Sequence, residues 1–295
     1  MNHLYTFWKF TRPHTIIGTV VSVTTLFVIA TSQYFLWPPA FWLALLSAVL
    51  CNIFITGYNQ LVDVNLDKIN KPYLPLASGE MSVLTGKKIV WSTLIVSLAV
   101  AYYLSYFFFA LVVLISIIGF LYSWKNVYLK KDHKLAAMAI TVVRGFLINA
   151  GFYLYFSGYN ADIGAVSNTV WLLIFFVAFF SIGISWFKDI PDVSGDKTQK
   201  IASMAINLGV KRAFTLGVSV VAAGYSVTAF APVFMKLNDA NGSVITFGTA
   251  IAGFIFLGMS SRVDAENQRS IKRFYLTFWG LFVLEYLIFA FAAIS

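Results

Sequence analysis

NTVWLLIFFVAFFSIGISWFKDIPDVSGDK, residues 168–197, decides the fold. Its first twenty residues, 168–187, carry no charge. At about 1.5 Å per residue, a helix of that length crosses the roughly 30 Å hydrocarbon core of a bilayer. The next nine residues then bring Lys188 and three aspartates, Asp189, Asp192 and Asp196. An apolar span that opens at one end into a cluster of acids is the pattern to test on the rest of the chain.

Apolar runs of span length recur near 14–36, 40–59, 87–103, 106–124, 135–157, 213–234, 244–261 and 274–294, nine in all with the first. The stretch 87–124 is too long for one crossing and is split around 104–106. Composition agrees, with 59% hydrophobic residues, 11% charged residues and a mean hydropathy of +0.80. Soluble domains lie near 45–50% apolar and about 25% charged, so a disordered chain, a coiled coil and an ordinary soluble globule are excluded. Unbroken apolar runs, rather than short alternating segments, also argue against a β-barrel. The predicted fold class is all-α: a polytopic membrane protein of about nine transmembrane helices forming one domain over 1–295, with no separate soluble unit.

The N-terminus, MNHLYTFWKFTRPH, has no short apolar core with a cleavage site, and neither a signal nor a transit peptide is expected. Cys51, the single cysteine, excludes an intrachain disulfide and reads as a buried thiol.

Charge fixes the expected topology. Lys9 and Arg12 precede the first span, and Lys68, Lys71, Lys87 and Lys88 follow the second. Lys125, Lys130, Lys131 and Lys134 follow the fourth, and Lys188, Lys197, Lys200, Lys211 and Arg212 follow the sixth. Arg262, Arg269, Lys272 and Arg273 follow the eighth. Nineteen of the 21 basic residues thus share one side; Lys236 lies opposite, and Arg144 lies within a span. The positive-inside rule places the N-terminus and these loops on the cytoplasm-equivalent side. The net charge of +9 is then topology and contact with anionic lipid, and no nucleic-acid partner is expected.

The chain also repeats. Span two ends in NQLVDVNLD, with Asn59, Asp63 and Asp67; span six ends in WFKDIPDVSGD. Asp63 to Asp192 and Asp67 to Asp196 are both 129 residues apart, which predicts two parallel four-helix halves plus a ninth helix around a central cavity. Five of the chain's 12 acidic residues lie in these segments. Asp63 and Asp67 share a helix face, and Asp192 and Asp196 repeat the spacing, although Pro191 and Gly195 weaken the case for an unbroken helix there. The plain alternative is that these acids solvate helix ends. If they converge instead, two carboxylates about 6 Å apart repel by about 3 kcal/mol at an effective dielectric of 20. Protons or cations must relieve this: a proton relay needs neutral carboxyls, whereas Mg²⁺ takes one or two carboxylates and completes its shell with water and phosphate oxygens. Lys71, Lys125, Lys130, Lys131, Lys188 and Lys197 on the same rim favour a metal–diphosphate clamp, and Lys71, Lys130 and Lys188 adjoin the motifs most closely.

Four stretches carry a family resemblance: FWKFTRPHTIIGT (7–19), YNQLVDVNLDKINKPYLPLASGE (58–80), TVVRGFLINAGFY (141–153) and WFKDIPDVSGDKTQKI (186–201). In order and over nearly the whole chain, they resemble the UbiA superfamily of intramembrane aromatic prenyltransferases. Leu74, where much of the superfamily has arginine, is shared with the branch that prenylates homogentisate for tocopherol and plastoquinone. The resemblance implies Mg²⁺ as cofactor, a polyprenyl diphosphate (phytyl, geranylgeranyl or solanesyl) as donor and decarboxylative prenylation of homogentisate. It implies that Asn59, Asp63, Asp67, Asp192 and Asp196 hold metal, that Asp189 joins the second motif, and that Tyr122 and Lys130, in the loop after span four, face the diphosphate. In that loop this chain departs from the family pattern at Lys125–Asn126 and at Tyr128.

Arg144 reads either as an interhelical lock or as an anion contact in an acceptor pocket with Asp189 as a base, and Asn149 reads either as lining the same cavity or as joining helices by a hydrogen bond. Arg12 is placed at the headgroup or the site, and His14 is read as an interfacial residue or a base. The alternatives are a UbiA-type enzyme for hydroxybenzoate, naphthoate or chlorophyllide, and a cation-coupled transporter.

Overall fold

The computed structural model describes residues 3–32, 36–198 and 201–295. Among them are nine helices long and apolar enough to cross a membrane: Pro13–Thr31, Pro39–Val62, Val83–Leu104, Tyr106–Ser123, His133–Ser157, Asn168–Asp189, Val210–Phe234, Gly242–Ser260 and Gln268–Ile294. The chain is an integral, multi-pass membrane protein. Helix is the expected state because each backbone N–H and C=O must find its partner within the segment once water is gone. Lys200 and residues 33–35 of the first predicted run lie outside the described residues.

Local chemistry sets the ends. Ser105 splits the 87–124 run: its backbone is extended and its hydroxyl accepts from Phe108 N, capping the fourth span. Ser82, Ser167, Asn241 and Asn267 cap the third, sixth, eighth and ninth spans in the same way. The seventh and ninth helices begin earlier than their apolar runs because Lys211, Arg212, Arg269, Lys272 and Arg273 occupy end turns that continue beyond the apolar stretch, and the third begins at Val83, four residues ahead of its run, directly after its cap. The first span stops at Thr31, short of the predicted 36, where Ser32 turns left-handed (φ +52°).

Spans one, two, four, five, six and nine surround a central cavity, while three, seven and eight pack outside them. The first span contacts both the second and the ninth, which closes the ring. A short helix, His3–Phe10, precedes span one, tied down by Gln60 Nε2 donating to Phe10 O (2.7 Å) and by the Lys9–Glu80 ion pair (2.5 Å).

In lipid, spans gain little from apolar burial against one another and associate by close packing and interhelical hydrogen bonds. Both are present. Phe180 stacks on Phe278 with centroids 4.0 Å apart, and Thr249 donates to the buried Glu285 at 2.6 Å, joining spans eight and nine. Gly183 lets span seven approach span six: a Cβ there would lie 2.4 Å from Val221 Cγ2. Gly183→Ala is therefore expected to destabilise the bundle by about 1–3 kcal/mol, read as a lower melting temperature in detergent. Val221→Ala added to Gly183→Ala should recover most of that loss.

Candidate active site

The two acidic segments begin where their spans break. Span two ends at Val62, and the chain re-forms a short helix, Val64–Asn70, with Asp63 at the break. Span six ends at Asp189, and Val193–Thr198 follows after a turn through Pro191. Asp67 N donates to Asp63 O (2.7 Å) and Asp196 N to Asp192 O (3.0 Å), so each pair keeps its one-turn relation across the break.

The two short helices touch. Asn70 Oδ1 accepts from Gly195 N at 3.0 Å in a buried contact, and a Cβ on Gly195 would fall 2.4–2.6 Å from the Asn70 amide. Only glycine allows this approach, which fastens one acidic segment to the other. A second tie crosses the neighbouring loops, where Ala202 N donates to Lys131 O (2.9 Å) and His133 N to Ala202 O (3.2 Å).

Below this junction lies a cavity of about 270 Å³. Asn59, Asp63, Asp67, Lys71, Tyr122, Lys130, Arg144, Lys188, Asp189, Asp192 and Asp196 all contribute to its wall. Asp63, Asp67, Asp192 and Asp196 keep only 6, 4, 6 and 5% of their surface exposed, too little for acids that serve to solvate helix ends. Deeper in, the wall is apolar, with Val23, Val112, Ile115 and Phe152.

The acids are paired with lysines. Lys130 bonds Asp63 and Lys71 bonds Asp192. Lys188 lies 3.6 Å from Asp189 and donates to the Tyr122 hydroxyl at 3.0 Å. The Tyr128 hydroxyl donates to Asp63 Oδ1 at 3.3 Å from a left-handed backbone (φ +49°). Among the described residues, Asp67 and Asp196 lack such partners. Asp67 Oδ2 is buried without a hydrogen bond among the described residues, and burial raises the pKa of this carboxyl. Burial, followed by the carboxylates of Asp189 and Asp192, pushes Asp196 up to about 7. A carboxyl that resists ionisation near neutrality lacks a counter-ion, and a divalent cation supplies one.

Among the described residues, no three acidic, histidine or cysteine side chains form a ready-made metal cage. The acids share a cavity wall rather than one coordination sphere. That suits Mg²⁺, which commonly uses one or two protein carboxylates and leaves its other positions to water and phosphate.

Several residues sit differently from their sequence reading. Asn149 is fully buried and does not line the cavity; its amide is spent within its own helix and on Tyr286. Tyr122 belongs to the last turn of span four, not to the loop after it. Lys125, Lys131 and Lys197 are exposed and lie away from the cavity wall. Conversely, Arg12, His14, Asn52 and Tyr275 do line it. Arg12 turns in from a left-handed backbone (φ +54°) just ahead of Pro13. Asn70 and Gly195 join the two segments; the sequence marks Gly195 only as a break in the helix and gives Asn70 no role, although Asp63, Asp67 and Asn70 continue one helical face at i, i+4 and i+7.

The chain belongs to the UbiA prenyltransferase family, whose model matches residues 18–282. It is 34% identical to a homogentisate phytyltransferase from Synechocystis, covering 99% of this chain and 96% of that one. It is 37% identical to the chloroplastic homogentisate phytyltransferase 1 of Arabidopsis thaliana, covering 97% of this chain and 74% of the relative. Its fold is that of a UbiA homologue from Archaeoglobus fulgidus solved with GPP and Mg²⁺, with a TM-score of 0.74 at 20% identity over 98% of this chain and 99% of that one.

Gly195→Ala tests the junction. The added methyl must displace the Asn70 amide, so prenyl transfer should fall at least about tenfold while the nine-span bundle still inserts and purifies as a folded monodisperse species. Asn70→Ala in the same background should relieve the clash without restoring the hydrogen bond, and should recover activity only in part.

Proposed function

We propose that this chain transfers a prenyl group from a polyprenyl diphosphate to the aromatic ring of homogentisate, with loss of the acceptor's carboxyl group as CO₂. The observation that carries this reading is the placement of two acidic segments and three buried or half-buried lysines at the polar end of one apolar-walled cavity between spans. The relatives named above act on homogentisate, and their similarity runs through nearly the whole of this chain. The protein works as a single intramembrane unit over 1–295, with the acidic and basic end on the cytoplasm-equivalent side.

Asn59, Asp63, Asp67, Asp192 and Asp196 are the residues that would hold Mg²⁺. When bound, the metal supplies charge neutralisation for the diphosphate and for its departure. Lys71 and Lys130 now bond carboxylates; with donor present they are free to turn to phosphate oxygens, because the acids no longer depend on them for counter-charge. Lys188 and Tyr122 form the third contact, poised by their own hydrogen bond. These donors lie where negative charge develops as the allylic C–O bond breaks and its electron pair leaves with diphosphate.

The remaining allylic fragment is an electrophile that water would consume, and the apolar wall keeps the reaction dry. The prenyl tail gains about 0.8 kcal/mol for each CH₂ taken out of water, which favours seating it between the helices. The acceptor ring then forms the new C–C bond. The displaced ring proton balances the reaction by replacing CO₂ on the side-chain carbon, and Asp189, on the cavity wall beside Lys188, is the residue assigned to carry it.

The test is a panel of labelled phytyl, geranylgeranyl and solanesyl diphosphates against homogentisate, hydroxybenzoate and naphthoate, using membranes with Mg²⁺ or EDTA. Labelled prenylquinol and released CO₂ with homogentisate, both abolished by EDTA, are expected. Product with hydroxybenzoate and none with homogentisate would reassign the acceptor. Asp63→Ala and Asp192→Ala should each lower turnover at least about 100-fold without loss of membrane insertion; full turnover by either variant in EDTA would remove the metal role.

A further inference from the structure

Span five is not a regular α-helix. Thr141–Leu147 forms a π-helical stretch, with Ile148 N donating to Val143 O. Such segments are rare and often mark functional sites, because the widened turn carries a side chain to a position that an α-helix would not give it. Here the widened turn is held from inside and outside. Asn149 Nδ2 donates to the carbonyls of Arg144 (2.9 Å) and Gly145 (2.8 Å). Asn149 Oδ1 accepts from the Tyr286 hydroxyl on span nine at 2.8 Å.

The residue presented by this turn is Arg144. Its guanidinium lies in the cavity wall, 4.8 Å from the Trp279 ring and 5.4 Å from the Phe282 ring. Gly18 on span one makes room for the two rings that flank it: a Cβ there would lie 3.1 Å from Trp279 and 3.4 Å from Phe282. Among the described residues, the guanidinium makes no hydrogen bond and no ion pair. Aromatic faces offset part of the cost of a cation inside a span, but they fill none of its five N–H donors. A widened helix, a buried amide and a tyrosine hydroxyl thus hold a cation with its donors empty, facing the reaction cavity.

The missing partner is an anion that arrives with a ligand. The diphosphate already has Lys71, Lys130 and Lys188 at the basic end. Arg144 lies eleven residues into its span from His133, about 16 Å along the helix axis. A planar guanidinium fork matches a carboxylate in two parallel hydrogen bonds, and the adjacent indole offers a surface for an aromatic ring. We propose that Arg144 binds the carboxylate of the aromatic acceptor, and that Asn149 and Tyr286 are positioning residues that hold the π-turn so that it can. This rests on the prenyl-transfer reading above, and it assigns Asn149 a role behind the pocket rather than in it.

Steady-state kinetics with homogentisate and with methylhydroquinone, the same ring lacking the carboxylate, test the proposal. Equilibrium binding of both compounds, read by tryptophan fluorescence on purified protein, runs beside them. Arg144→Met should raise the homogentisate KM at least tenfold, leave the donor KM within twofold, and cut the preference for homogentisate over methylhydroquinone at least tenfold. Tyr286→Phe should shift the same preference about three- to tenfold through the turn, without moving the donor KM, which a general loss of packing would also move. Arg144→Lys should recover part of the preference but not the forked contact. An unchanged preference in Arg144→Met, or a raised donor KM with an unchanged acceptor KM, overturns the proposal. Wild-type protein that binds homogentisate no better than methylhydroquinone overturns it as well. Failure of wild-type protein to prenylate homogentisate while binding it through Arg144 would instead count against the assigned reaction alone.

Discussion

The hydrogen bond from Gly195 N to Asn70 Oδ1 is the constraint on which the site depends. It joins two short helices that lie 125 residues apart in sequence, each following a span that has just ended. Either segment alone would present acids at a membrane surface, where water would solvate them. Fastened together, they wall one cavity in which the buried carboxylates must find internal partners. Helix ends suit this task, because a break at Asp63 or at Pro191 re-aims side chains in a way an uninterrupted span cannot.

The electrostatic arrangement follows from that enclosure. Buried carboxylates are costly unless they are paired, and lysines pair three of the five, while among the described residues Asp67 and Asp196 have no ion pair. Such a site is incomplete on its own. It fits a ligand that is strongly anionic and accompanied by a divalent cation, because each component then meets the opposite charge: phosphate meets lysine, and metal meets carboxylate. The wall below is apolar, which suits the hydrocarbon end of such a molecule.

Much of the fold was legible because a bilayer leaves the chain few choices. Apolar length gave the spans, and length alone split the 87–124 run around 104–106, where Ser105 caps the fourth span. Helix ends were read less well wherever basic residues extend a helix past its apolar run, as Lys211 and Arg212 do. The acids were legible from their repeat in register. The lysines that adjoin the motifs in sequence, Lys71, Lys130 and Lys188, are also the ones that line the cavity beside its acids, while Lys125, Lys131 and Lys197 stay at the surface. Asn149 was readable either as a cavity residue or as a hydrogen-bonded link between helices, and it is the link: it bonds Tyr286 on span nine and the carbonyls of Arg144 and Gly145 in the π-helical stretch. The left-handed backbone that turns Arg12 into the cavity left no signal in a window of apolar periodicity.

The most direct measurement is calorimetric binding of an unreactive prenyl thiodiphosphate, with Mg²⁺, to Asp63→Asn, Asp192→Asn and the double variant. If both acidic segments act on one bound headgroup, each single change weakens binding. The double variant then departs from the product of the two by more than about 0.5 kcal/mol, as groups within one network do. Strict additivity, or undiminished binding in either single variant, would contradict a shared site.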